Sequence, residues 1–91
     1  MCGQWDFTKP LQPNDVPKDL AAVFEKTMNS LCGASYKMLQ LSGSQAGARN
    51  FLFICEQTLV TNPPVRHYVT VLLHLEGAGD KASIVNIARF Y

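Results

Sequence analysis

The stretch LSGSQAGARNFLF, Leu41–Phe53, sets small and turn-forming residues between two apolar segments. It fits three readings: a phosphate-cradling loop, a plain hairpin turn, or a loop shaped to enter a partner. A phosphate loop needs a Gly-Lys-Ser/Thr ending and a helix N-terminus aimed at the anion. No such ending follows, and Asn50–Val60 carries Phe51, Leu52, Phe53, Ile54 and Cys55, apolar on both faces. That pattern reads as a central strand, so Gly43–Ala48 joins two strands, with Gly43 and Gly47 as its turn formers.

Working outward, Tyr36–Leu41 is a short strand before the loop. After Val60, TNPPV (Thr61–Val65) is a turn, because two prolines cannot sit inside a ladder. Tyr68–Leu75 puts Val69, Val71, Leu73 and Leu75 on one face, a period of two. EGAGDK, Glu76–Lys81, is a second Gly-rich turn, and Ile84–Tyr91 is the last strand. Upstream, Val16, Leu20, Val23, Phe24, Thr27, Met28 and Leu31 recur at offsets of three and four. They predict an amphipathic helix over 15–32, capped by Asn14 or Asp15, with Pro17 in its first turn and Gly33 ending it. Residues 1–13 form an extended arm with a short strand around Trp5–Thr8 and two aromatics, Trp5 and Phe7. These two pack over the helix start or serve as free anchors for a partner.

The expectation is therefore one α+β domain over 1–91: the arm, one amphipathic helix, and an antiparallel meander over 35–91. The sheet has four strands, or five with the arm. In a meander, alternate loops emerge at the same end. Gly43–Ala48 and Glu76–Lys81 then lie side by side, with TNPPV opposite. A helix antiparallel to the strand that follows brings the arm to the loop end as well.

Composition narrows the function. The 91 residues are 47% hydrophobic and 16% charged with a formal net charge of +1, which gives no pull toward nucleic acid or an anionic membrane. No run approaches the roughly 18–20 apolar residues of a transmembrane helix, and the N-terminus does not read as a secretory signal. Cys2, Cys32 and Cys55 make no disulfide framework; they suit reduced thiols in the cytoplasm, with Cys32 and Cys55 in the core. His67 and His74, seven apart on one strand, point to opposite faces and share no metal; each reads as solvent-facing or locally hydrogen-bonded. Glu56, Glu76 and Asp80 pair with nothing as acid and base. The reading is a non-enzyme without metal or cofactor.

The residues also resemble the stefins, the intracellular type-1 cystatins that inhibit papain-like cysteine proteases. Met1-Cys2-Gly3 looks like the stefin arm, and SQAGARNFLFI stands where stefins carry Gln-Val-Val-Ala-Gly-Thr-Asn-Tyr-Phe-Ile, matched at Asn50 and the aromatic-aliphatic run behind it. YVTVLLHLEGAGDK resembles the family's fourth strand and second loop. The resemblance covers most of the chain. It implies a cystatin-like fold and a wedge of arm and two loops that enters the cleft of cathepsins of the B, L and H type. Position by position, the protease-binding residues would be Cys2, Gly3 and Gln4; Ser44, Gln45, Ala46, Gly47 and Ala48; and Leu75, Glu76 and Gly77. Gln45 and Ala46 replace two valines, a loss of about 1.5–3 kcal/mol for each valine fully buried in the partner. Glu76 replaces a proline, and the chain stops at Tyr91 without the family's C-terminal tail. The implied state is a monomer. The alternative is a cystatin-fold protein that does not inhibit proteases and binds another partner or itself, for instance by exchanging arm, helix and first strand through the first loop.

Overall fold

The computed structural model describes residues 4–76 and 81–91. Among these residues one α-helix, α1 (Lys18–Asn29), packs on a four-stranded antiparallel sheet. Its strands are β1 (Ala34–Gln45), β2 (Asn50–Leu59), β3 (Val65–Glu76) and β4 (Lys81–Arg89), in the order β1-β2-β3-β4. The α+β meander expected from the sequence is present. No described helix is long and apolar enough to cross a membrane.

The helix is shorter than its apolar period suggests. Val16 precedes Pro17, and a residue before proline is pushed out of the helical region. Both are extended, with ψ of 134° and 136°, so Pro13–Asp15 forms a separate 3-10 turn and α1 begins only at Lys18. Neither Asn14 nor Asp15 caps it. At the other end Ser30 folds back, its hydroxyl donating to the Thr27 carbonyl at 2.6 Å. Gly33, at φ 87°, lies beyond the helix and turns the chain into β1.

Leu20, Val23, Phe24 and Met28 form the buried face of α1. Against it the sheet presents Leu41, Phe53, Cys55, Val69, Val71 and Leu73, all buried. Phe24 and Phe53 meet at 4.6 Å between ring centres, tying helix to central strand. On the other face of β2, Leu52 and Ile54 are half-buried, as the two-faced pattern implied.

Cys32, expected in the core, is exposed, because it falls in the link after α1 ends. Cys55 is fully buried, and burial pushes its thiol from 9.0 up to about 12. In a Cys2→Ser background, Ellman's reagent at pH 8 should therefore titrate one thiol, Cys32, and find the second only after denaturation. Between pH 9 and 12 the unfolded chain ionises at this position while the folded chain does not. Folding stability at Cys55 is thus intact below about pH 9 and lost as pH rises toward 12, by at most about 4 kcal/mol. Cys55→Val should flatten that part of an alkaline denaturation curve.

The arm runs antiparallel along the outer edge of β1. Asp6 and Ser44 exchange backbone hydrogen bonds of 2.8 and 3.1 Å, and Leu11 and Leu41 exchange a pair of 2.9 Å. The strand expected over Trp5–Thr8 is thus one bridge at Asp6, with a second at Leu11. Thr8 breaks the ladder between them: its amide and hydroxyl both donate to the Asp6 carboxylate, curling the chain before Pro10. Those bonds, the hydroxyl's first, hold the Asp6 carboxyl below its ordinary range.

Candidate functional site

The end of the sheet where β1 finishes and β2 begins is built from three parts of the chain. In the first hairpin, β1 continues through Gly43, Ser44 and Gln45, so the connection is shorter than the small-residue run suggested. The turn is Ala46–Ala48 in 3-10 form, closed by Arg49 at φ 58°. The positive φ here belongs to Arg49, a non-glycine residue, while Gly43, expected in the turn, lies inside β1.

Gly43 has a different reason to be glycine. A Cβ built there would fall on the ring of Phe7. Gly43 is in register with Leu52, which is in register with Leu72, and these lie on the face opposite the buried Val71 and Leu73. Phe7 therefore covers the outer face of β1 and is itself stacked on Trp5, 5.6 Å between centres and 11° from parallel. The two aromatics clasp the arm to the sheet.

The second hairpin is drawn in by two sets of bonds. The Leu75 amide donates to the Arg49 carbonyl at 2.9 Å, joining the end of β3 to the first turn. A side-chain chain crosses the same level: Asn50 Nδ2 donates to Gln45 Oε1 at 2.8 Å, and Asn50 Oδ1 lies 2.8 Å from His74 Nδ1. The register agrees, with Gln45 opposite Asn50 and Asn50 opposite His74. His74 is thus locally hydrogen-bonded, the second of the two roles its sequence context allowed.

Among the residues expected at a binding edge, Ser44 and Gln45 are the last of β1, Ala46, Gly47 and Ala48 form the turn, and Leu75 and Glu76 end β3. Gln4 is exposed, two residues before the Asp6 bridge to Ser44. The fold brings these together at one end. Cys2, Gly3 and Gly77 lie outside the described residues. The turn at 61–64, by contrast, follows the Leu59–Val65 pair at the far end of the sheet.

Asn50 is legible in the sequence as an anchor of the motif. The sequence offers no site role for Asp6 or Arg49, leaves His74 as solvent-facing or locally hydrogen-bonded, and leaves Phe7 over the helix start or as a partner anchor, whereas Phe7 packs on Gly43 of β1. Their roles come from partners elsewhere in the chain: Phe7 meets Gly43, and His74 meets Asn50. Chemically the end offers small side chains, exposed backbone at a tight turn, and polar groups held by one another. Among the described residues no cluster of three metal-ligating side chains occurs. No protein-family model matches this chain, and no curated protein or solved structure matches it.

Proposed function

We propose that this end of the sheet is the binding edge of a stefin-type inhibitor of papain-like cysteine proteases, acting reversibly and without a covalent step. The observation that carries the reading is the tying of three distant segments into one edge: Asp6 to Ser44, and Leu75 to Arg49, by backbone hydrogen bonds. One helix on a four-stranded antiparallel sheet is compatible with the cystatin fold that the sequence resembles.

The physical logic is that of a preformed wedge. A loop bound before it meets its partner loses little conformational entropy on association. Short side chains at Gly47 and Ala48 let the backbone come close to the walls of a narrow groove. The arm and the end of β3 flank the turn, so the edge fills the groove on both sides of the nucleophile without laying a peptide bond across it. The free thiols of Cys32 and Cys55 fit a cytoplasmic site of action.

Steady-state assays of papain and of cathepsins B, L and H with the reduced protein test the reading. Inhibition is expected, and it should weaken when Met1–Asp6 is deleted. A folded sample that leaves all four enzymes fully active at high micromolar concentration would refute it.

A further inference from the structure

Three side chains on three strands form one hydrogen-bonded row behind the first turn: Gln45, Asn50 and His74. We infer that Asn50 and His74 are positioning residues, which fix the first turn to the second hairpin so that the edge is rigid before any partner arrives. The inference rests on that edge being the binding surface, and it adds how the surface is held in shape.

The direction of the row follows from donors and acceptors. Asn50 spends its amide on Gln45 Oε1, which leaves its carbonyl oxygen for His74. The ring nitrogen facing that oxygen must then carry hydrogen, so His74 is a donor through Nδ1. All three residues are half-buried, where such bonds compete with little water and truncating one leaves the next unsatisfied. Directly after His74 comes the amide of Leu75, bonded to Arg49 across the two hairpins. Ring and amide together set how the end of β3 meets the turn. Gly47 and Ala48 have no side chain long enough to brace the turn from within, so it is held by its flanks.

A chain-specific arrangement of this kind also accounts for a polar residue at the foot of the turn. With its side chain engaged by Asn50, Gln45 is a structural strut as well as a contact residue. The turn is shaped by hydrogen bonds where an apolar tip would be shaped by its partner's groove.

The test is hydrogen exchange on the free protein, with no protease present, so its outcome stands apart from that of the inhibition assays. The probe is the protection factor of the Leu75 amide, referenced to the core amides of Phe53 and Val71. His74→Ala and Asn50→Ala should each raise Leu75 exchange by about tenfold while the two core amides hold their rates. His74→Asn should restore protection to near wild type, because asparagine Nδ2 sits as far along the side chain as histidine Nδ1 and also donates. Unchanged Leu75 exchange in both alanine variants would overturn the inference. So would an equal acceleration of the core amides, or a failure of His74→Asn to recover what His74→Ala loses. In inhibition kinetics the alanine variants should slow association more than they speed dissociation, since the cost falls on ordering the edge.

Discussion

Phe53→Ala is expected to remove about 3–5 kcal/mol of folding stability, a large fraction of the about 5–15 kcal/mol that holds a domain folded. Phe53 is completely buried on central strand β2, with Leu41 and Val71 in register on either side. Its ring lies 4.6 Å from that of Phe24, tilted by 42°, which makes it the principal aromatic contact between helix and sheet. Truncation forfeits the transfer energy of the ring and opens a cavity that two layers cannot easily close. On the other face of β2, Leu52 and Ile54 are already half-buried, so they are not free to swing into the gap. Urea denaturation should show a matching fall in midpoint with an unchanged slope. Phe24→Ala should share part of the same loss, so the double variant should cost less than the sum of the two. A loss below about 1 kcal/mol for Phe53→Ala would mean that the helix does not sit on this strand.

Gly43→Ala should expel the Phe7 ring and loosen the arm. The added methyl falls on ring atoms of Phe7, and something has to move. Phe7 is 53% exposed, so its ring can swing into water while β1 keeps its register. The cost should be about 1–3 kcal/mol, in the range for overpacking, and it should appear first in the arm. Trp5, the only tryptophan, then loses the ring it stacks on, and its emission should move to longer wavelength. In a Phe7→Ala background the same glycine substitution should be nearly silent. An equal cost in both backgrounds would mean that Gly43 is needed for backbone reasons and that the Phe7 contact is incidental. Inhibition should weaken in Gly43→Ala alongside the fluorescence change, because the arm reaches the edge only through its docking on β1.

Wherever a residue's role is set by its neighbours in sequence, the sequence was informative. The face of α1 through Leu20, Phe24 and Met28, and the face of β3 through Val69, Val71 and Leu73, could be read from period alone. The ends of these elements depended on local competition. Pro17 was legible as a first-turn residue, yet its effect on Val16 delays the helix to Lys18. Cys32, expected in the core as a reduced thiol, lies outside it because α1 ends at Asn29, three positions earlier. The small-residue run misled differently. Gly43 looked like a turn glycine, whereas it sits in β1 because Phe7, 36 positions earlier, needs the space. Asn50 and His74 are 24 apart and joined only by the register of β2 and β3, which local pattern does not fix. That the arm, the first turn and the end of β3 share one end of the sheet was deducible from meander topology. The bonds that lock them together were not.

Hydrogen-exchange footprinting of the 91-residue chain with and without papain tests the proposed binding edge most directly. Slowed exchange is expected in 4–6, 44–49 and 74–76 together, with 61–64 at the far end unchanged. Protection confined to one of the three segments, protection at the far end, or no protection at saturating papain would contradict a three-part edge.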